Sequence, residues 1–234
     1  MGQEETSRRY TRPDSSEDTR ERLLAAALEQ FAERGFYGAS IAQIAGELDL
    51  TKQALLYYFK RKEDLYAEVL KRIADELLTV TYAGVRDDDS PEQQFEGMIM
   101  GIYMSAKERP LHTRVLLREL MDNQRRDAPA DKWYLKTWLD SIVDQLDKVE
   151  SLNWMPFGQK FAAIYQMLSA IEYFVVSGPT LSRMYGEAGF AKINERMRLS
   201  YESRFVACSR PSRNRKRQIP IGRQSIQDHL RAAE

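Results

Sequence analysis

The residues best suited to chemistry lie in one short segment, LTKQALLYYFKRKEDLY, at positions 50–66. Between positions 51 and 62 the chain has four cationic side chains and no acidic one: Lys52, Lys60, Arg61 and Lys62. Cations contact phosphates without regard to base sequence, whereas Thr, Lys and Gln side chains hydrogen-bond to the edges of bases. The segment therefore has the composition of a surface that binds nucleic acid, although isolated lysines are also common on solvated helix faces.

Other chemistries find little support in the sequence. His112 has no His, Cys or carboxylate at ligand spacing, and His229 lies in a polar stretch near the C-terminus. There is no Gly-rich phosphate loop, no Gly-x-Ser-x-Gly and no Cys-x-x-Cys. The single cysteine, Cys208, excludes an intrachain disulfide and fits a reducing compartment. We therefore expect no enzyme, no cofactor and no metal site.

Composition bounds the class of protein. The 234 residues contain 35 Lys and Arg and 35 Asp and Glu, so net charge alone predicts no partner. No apolar run reaches the length of a membrane span, and the N-terminal residues lack the apolar centre of a signal peptide. We expect a soluble protein of the cytoplasm that makes no contact with a membrane.

Short helices must position the basic segment. A helix with an apolar stripe ends at Gly35, and Ser40 with Gln43 predicts a capping box for a second helix. Asp49 interrupts the pattern, and Thr51 is a suitable N-cap for a third helix. Two short helices joined by a tight turn form a helix-turn-helix, whose second helix lies in the major groove of DNA. The inward side chains of the third helix are predicted to be Leu55, Tyr58 and Phe59.

A longer pattern surrounds this motif, reading S-I-A-Q-I-A…L-D-L-T-K-Q-A-L-L-Y-Y-F-K-R-K-E-D-L across several helices. This pattern, within residues 17–77, resembles the TetR (tetracycline-repressor-like) family of transcriptional regulators. The resemblance implies that the third helix reads DNA. The candidate DNA contacts are polar and aromatic residues on and around that helix: Ser40, Thr51, Lys52, Gln53, Ala54, Tyr57, Tyr58 and Lys62.

Two positions depart from the family pattern. Asp49 stands in the turn where the family usually has Gly, and Asp tolerates the left-handed backbone better than most residues. Leu56 stands where the family often has a Tyr that contacts phosphate. Tyr57 or Tyr58 must then supply that contact, or the contact is missing.

The rest of the chain is also predicted to be helical, giving an all-α protein of about nine helices. We expect four parts: a flexible N-terminal arm (1–16), the DNA-binding domain (17–77, reading motif 40–59), a helical ligand-binding and dimerisation domain (78–208) and a basic tail (209–234). One apolar helix is predicted to stop at Gly178-Pro179, and a last helix to span about 190–208. The tail is either a disordered solubility tail, an arm on the DNA backbone or an ordered extension.

The resemblance implies a cavity for a small-molecule inducer in the C-terminal helices. Glu172 lies in a nearly unbroken apolar run, where it either pairs across an interface at a helix edge or acts as a polar hook in a cavity. The aromatic and Met residues nearby are either plain core or pocket lining. The candidate pocket residues are Tyr103, Leu116, Trp138, Tyr165, Met167 and Glu172.

The resemblance also implies a homodimer, because one helix-turn-helix reads too few base pairs for genomic specificity. The candidate dimer face lies on helices at 161–176 and 190–208 and comprises Leu168, Ile171, Val175, Ile193, Met197 and Tyr201. The expected function is a ligand-responsive repressor that binds a palindromic operator and is released by an inducer. The alternative is an architectural or interaction protein that binds many dispersed DNA sites and signals to a protein partner.

Overall fold

The backbone of the computed structural model is described for residues 16–122 and 134–208, and over these ranges it is helical and contains no strand. This confirms the predicted all-α class. The predicted arm, apart from Ser16, and the predicted basic tail lie outside the described residues. The helices are α1 (Ser16–Gly38), α2 (Ile41–Gly46), α3 (Lys52–Tyr58), α4 (Lys62–Ala83), α5 (Pro91–Glu108), α6 (Pro110–Asp122), α7 (Tyr134–Asp147) and α8 (Phe157–Cys208), with a 3-10 turn at Glu150–Leu152.

Two hydrophobic clusters organise these helices. The first is formed mainly by α1 to α4, with Phe31, Leu55 and Leu65 at most 1% exposed, and it also takes in residues from α6. The second is formed by α5, α7 and α8. Leu77 of α4 packs against both clusters. Helix α4 therefore crosses from one core to the other, at the position where the sequence predicts a domain boundary.

The N-terminal caps follow the predictions only in part. Thr51 is the N-cap of α3, and its hydroxyl accepts a hydrogen bond from the backbone N–H of Ala54 at 3.1 Å. Ser40 is the N-cap of α2, but its side chain makes no capping hydrogen bond. The amide oxygen of Gln43 instead accepts a hydrogen bond from Arg34 at 2.7 Å. The predicted capping box at Ser40 is therefore wrong, because Arg34 of α1 competes for the glutamine.

Helix α8 does not stop where the sequence predicts. It continues through Pro179 and bends at Gly186, whose φ of 71° and ψ of 164° lie outside the helical region. Gly is the residue that adopts such a positive φ without steric penalty. Pro179 is exposed, and the loss of its one backbone hydrogen bond is tolerated there. The predicted break at Gly178-Pro179 is wrong, and the last helical segment begins after Gly186.

Helices α4 and α5 cross with their backbones in contact. A Cβ atom added to Gly101 would lie 2.5 Å from the carbonyl oxygen of Val80, and one added to Gly97 would lie 3.0 Å from that of Gly84. A side chain at Gly101 would thus force the two helices apart. The crossing joins the end of α4 tightly to the second core.

Helix α6 is fixed to the end of α1. The guanidinium of Arg118 donates to the carbonyl oxygen of Ala32 at 2.9 Å and to that of Glu33 at 2.6 Å. Carbonyls in the last turn of a helix lack partners within the helix, and α1 breaks at Gly35 (φ 69°). Arg118 therefore supplies the missing donors and ties α6 to the N-terminal helices.

Candidate nucleic-acid interface and ligand cavity

The turn between α2 and α3 has the geometry that the sequence predicts. Asp49 has a φ of 57° and is the one non-glycine residue with a positive φ in the described ranges. The backbone N–H of Leu50 donates to the carbonyl oxygen of Ala45 at 2.9 Å, which closes the turn. Asp thus takes the left-handed position with modest strain, and the two helices form a helix-turn-helix.

The start of α3 is open to solvent and its inner face is anchored. Thr51, Lys52 and Gln53 are exposed, whereas Leu55 is 0% and Phe59 is 4% exposed. The buried pair holds the helix against α1 and α4, so its N-terminal residues project from a fixed support. The hydroxyl of Thr51 and the amide of Gln53 can donate and accept hydrogen bonds, and the ammonium of Lys52 can donate them, as base edges in a major groove require.

The other predicted DNA contacts differ in how open they are. Tyr57 is 80% exposed, and its ring meets that of the half-buried Tyr58 edge-on at 5.3 Å. Ser40 and Ala54 are half-buried. Both tyrosines lie at the C-terminal end of α3, and the exposed phenol of Tyr57 can reach a phosphate oxygen.

Lys62 opens α4 and lies partly against the core. Its ammonium is 4.7 Å from the centroid of the Phe36 ring, and burial lowers the pKa of its amine. Tyr37, which is 49% exposed, packs edge-on against the same ring at 5.3 Å. Tyr37 is thus a further candidate for the DNA interface, which the sequence analysis missed. Its position directly after Gly35-Phe36, at the end of the first helix, was the available signal.

Not every basic residue of the segment is available to phosphate. The guanidinium of Arg61 bonds to the carboxylate of Asp64, with a shortest distance of 2.8 Å. This contact holds the pKa of Asp64 below its usual range. Lys52 and Lys60 are exposed. The contiguous basic run in the sequence therefore separates into exposed cations and one surface ion pair.

A small cavity lies where α4, α5, α6, α7 and α8 meet. Its volume is about 20 Å³, which is room for about one water molecule. Most of its wall is apolar, with Ile102, Trp138 and Ile171 among the lining residues. The indole N–H of Trp138 donates to the hydroxyl of Thr81 at 2.9 Å, which fixes the orientation of the ring.

One side of the cavity carries a network of charges. Glu76 of α4 contacts Arg109, with Oε1 to Nε at 2.6 Å, and His112 of α6, with Oε2 to Nδ1 at 3.2 Å. Burial is the main cause that lowers the pKa of His112, opposed by the nearby Glu76 carboxylate. A neutral His112 donates from Nδ1, so Glu76 satisfies both partners and joins α4 to α6.

Glu172 of α8 lines the same cavity without such partners. Within the described residues it forms no hydrogen bond or ion pair. Burial raises the pKa of its carboxyl to about 7. Of the two interpretations of Glu172 in the sequence, the polar hook in a cavity agrees with this environment.

Half of the six predicted pocket residues line this cavity, and the other half do not. Leu116, Trp138 and Glu172 line the cavity. Tyr103 lies in the core with its hydroxyl 3.1 Å from Oδ1 of Asn194, Tyr165 is exposed and Met167 packs on the second cluster. These last three do not line this cavity. Sequence reasoning missed the charged wall of Glu76, Arg109 and His112, because it tested His112 only as a metal ligand.

Within the described residues, no group of three or more His, Cys, Asp or Glu side chains is arranged to hold a metal ion.

The largest residues of the predicted dimer face are buried within the single chain. Leu168, Ile171 and Tyr201 are 4%, 0% and 6% exposed in the single chain. Ile193 and Met197 also pack against the second cluster, and Val175 is half-buried. The apolar stripe predicted from the sequence packs into the chain's own hydrophobic core. Residues buried there are not available to contact a second copy of the chain.

A different face of α8 is open. It carries Ala162, Tyr165, Gln166, Ser169 and Tyr173 at helical spacing, all exposed. Tyr173 is 75% exposed. Two large aromatic side chains on one exposed stripe are unusual for a solvated helix.

Length and composition alone would allow α8 to cross a membrane over Phe157–Tyr201. Long core helices of soluble proteins also pass that test. Here the segment includes Lys160, which is 5% exposed and paired with Asp147 of α7. The helix thus packs as part of a helical core, with one face outward.

Comparison with known proteins agrees with this geometry. Residues 23–69 match the family model described as bacterial regulatory proteins, tetR family. The regulator RutR of Escherichia coli O157:H7 is 32% identical over 137 residues, which is 58% of this chain and 62% of RutR. The activator FasR of Mycolicibacterium smegmatis is 29% identical over 137 residues, 58% of this chain and 63% of FasR. The match therefore spans less than two thirds of these relatives.

The fold likeness extends further along the chain. A tetR-family bacterial regulatory protein from Rhodococcus RHA1 superposes with a TM-score of 0.62 at 18% identity, covering 82% of this chain and 95% of that one. The helices beyond the matched motif thus share the fold of that protein. In its helix-turn-helix, within residues 23–69, the chain is thus similar to bacterial regulatory proteins of the tetR family, and its helical fold is that of the Rhodococcus protein.

Proposed function

We propose that this protein is a transcriptional regulator of the cytoplasm that binds a palindromic DNA operator as a homodimer and is released from it by a small molecule. The observation that carries this proposal is the exposed start of α3, where Thr51, Lys52 and Gln53 project from a helix anchored by Leu55 and Phe59. A reading helix needs this combination of free polar side chains and fixed backbone.

A second copy of the chain would supply what one reading helix lacks. Two half-sites on one face of DNA double the base contacts. The exposed stripe with Tyr165, Ser169 and Tyr173 is a surface on which a second α8 can pack. Burying it removes large apolar side chains from water, which favours association. This stripe replaces the predicted dimer face, and it also accounts for the apolar length of α8 without a membrane.

The position of the cavity supports a role in controlling the reading helix. Its wall includes Glu76 of α4, which runs to the DNA-binding helices, and His112 of α6, whose other end ties to α1 through Arg118. A ligand larger than one water must separate these helices. It would bind better to a conformation with displaced reading helices, and it would lower DNA affinity by that difference in affinity.

The direction of regulation is proposed as repression. A dimer bound across a promoter excludes other proteins by volume alone, without a further contact surface. The relative FasR is named an activator, so the effect on transcription has to be measured at the selected sites.

Selection of DNA fragments from a random pool tests the proposal directly. We expect a palindrome of two half-sites, flanking few genes, and bound by a dimer. Lys52→Ala and Gln53→Ala should each lose about 1–3 kcal/mol on the selected site and little on random DNA. Lys136→Ala is the matched control, because this exposed lysine of α7 pairs only with Asp140 on the surface.

Three results would contradict the proposal. Many dispersed sites without a common palindrome would favour the architectural alternative. Unchanged preference in both α3 variants would show that another element reads the DNA. Binding of one monomer per DNA site would contradict the proposed homodimer.

A further inference from the structure

An uncommitted carboxylate in an apolar cavity marks the chemistry of the ligand. Glu172 lines the cavity together with Ile102, Trp138 and Ile171. Glu172 is half-buried, and an ionised carboxylate that is shielded from water without a partner is unfavourable. Such a group is retained at a binding site when something else supplies the partner.

The other charged residues of the cavity are already paired. Glu76 from α4 bonds to Arg109 at the junction of α5 and α6, and to His112 from α6. Helix α7 contributes Trp138, which has no charge, and its indole N–H is engaged by Thr81. Within the described residues that line the cavity, Glu172 is therefore the ionisable group that has no partner.

We infer that this cavity, once its walls part beyond the room for one water molecule, binds a small molecule with an apolar body and one protonated nitrogen, an ammonium or amidinium group, which pairs with the carboxylate of Glu172. This inference rests on the proposed function, since it names the class of effector for that cavity. The cation gives Glu172 a charge-assisted hydrogen bond, and the apolar body meets the aliphatic wall and the face of Trp138.

Other ligand classes fit less well. An anion would approach Glu172 as a like charge, and the guanidinium of Arg109, which could attract it, is held by Glu76. A neutral apolar molecule would bury Glu172 further and leave it unpaired. Among these three classes, only a cation compensates the unfavourable burial of the Glu172 carboxylate, because it gives the carboxylate a partner.

Binding of the cation should depend on pH. Burial raises the pKa of Glu172 to about 7, so protons compete with the ligand over the neutral range. Affinity should rise about tenfold between pH 6 and pH 8, as the ionised fraction grows from about a tenth to about nine tenths. Protonation of His112, whose pKa burial lowers, would act in the same direction at lower pH. Glu76 and Arg109 face the cavity as an ion pair.

The test compares probes that share one body. Phenethylammonium, 2-phenylethanol and phenylacetate form one set, and shorter and longer alkyl bodies with the same three head groups form the others. Dissociation constants are measured on the full chain without DNA, by calorimetry and by tryptophan fluorescence, since Trp138 lines the cavity. We expect the best ammonium ion to bind at least about tenfold more tightly than its alcohol, the magnitude of one hydrogen bond to a charged group.

Variants locate the effect. Glu172→Gln should weaken the ammonium probe at least about tenfold, leave the alcohol unchanged and remove most of the pH dependence. Glu195→Gln is the matched control, an exposed glutamate on the same helix, and should change nothing. If Glu172→Gln does not fold, the pH dependence of the wild-type protein remains as the test.

The outcomes separate this inference from the proposed function. Equal binding of the three head groups, failure of every ammonium ion to bind, or binding independent of both pH and Glu172 would overturn the inference. A Glu172-dependent ammonium ion that leaves operator affinity unchanged would support the ligand class and contradict the effector role. A neutral or anionic compound that binds in the cavity and releases the operator would support the effector role of the cavity and contradict the inferred ligand class.

Discussion

Replacing Glu172 by glutamine should stabilise the folded protein, and more so as pH rises. The carboxyl titrates at about 7 in the folded chain, against an ordinary value of 4.5. Between these values the unfolded chain has released a proton that the folded chain still holds. Stability of the wild-type protein therefore falls as pH rises through this interval. Glutamine has no such proton, so the variant escapes this loss.

The size of the effect follows from the two pKa values. Each tenfold change in an ionisation constant corresponds to about 1.36 kcal/mol, so the full penalty above pH 7 is about 3 kcal/mol. This is an upper figure, because Glu172 is only partly buried as a whole residue and solvent screens the charge. Below about pH 3.5 the carboxyl is neutral in both the folded and the unfolded chain, and the contribution of the titration vanishes.

Urea denaturation followed by circular dichroism measures this difference. Wild type, Glu172→Gln and the exposed control Glu195→Gln are compared at pH 5, 6, 7 and 8, all at one protein concentration, because the proposed dimerisation would contribute to stability. The free energy of unfolding of Glu172→Gln should diverge upward from wild type with pH, while the control stays parallel. A constant offset between Glu172→Gln and wild type at all four values would refute the burial of this carboxyl.

The remaining predictions concern the DNA contacts, the link between α6 and α1, and the dimer. Lys62→Ala should weaken operator and random DNA by similar factors and lower the slope of log affinity against log salt by about one; an unchanged slope would remove Lys62 from the interface. Arg118→Met should lower the free energy of unfolding by about 1–3 kcal/mol, because two carbonyls of α1 lose their donors; urea titration measures this, and no loss would mean that water replaces the guanidinium. Tyr173→Glu should give folded monomers in analytical ultracentrifugation. Leu168→Lys should instead unfold the chain, because it buries a lone charge at a cost of several kcal/mol. A Tyr173→Glu variant that is folded and dimeric would show that the interface lies on another surface.

The DNA-binding helices were largely predictable from the sequence, because local signals there agree with one another. Thr51 caps α3, Asp49 takes the left-handed turn position, and Leu55 and Phe59 are buried as their spacing predicts. Ser90 likewise forms the capping box that opens α5. Each of these features depends on residues within a few positions of one another, so a single sequence contains the information.

The C-terminal helices were harder, because their packing depends on distant residues. Leu168 and Ile171 form an apolar stripe that fits either a core or a dimer face, and only the packing of α5 and α7 decides between them. Gly178-Pro179 is a breaker by local rules, yet α8 continues through it to Gly186. The cavity likewise joins residues from five helices, and the pairing of Glu76 with His112 spans two of them.

The close backbone contact between Gly101 and Val80 holds α4 at one point, so a rotation of the helix about this point moves its distant end furthest. At 1.5 Å per helical residue, Lys62 lies about 27 Å from this crossing and Glu76 about 6 Å from it. A displacement of about 0.5 Å at Glu76, in the cavity wall, therefore becomes about 2 Å at the base of the reading helix. In a symmetric pair both reading helices would move, so their separation changes by up to about twice that amount. In the proposed dimer, an amplification of this size would let a ligand that barely parts the cavity walls change the separation of the two reading helices. They would then no longer match successive turns of the operator, which lie about 34 Å apart.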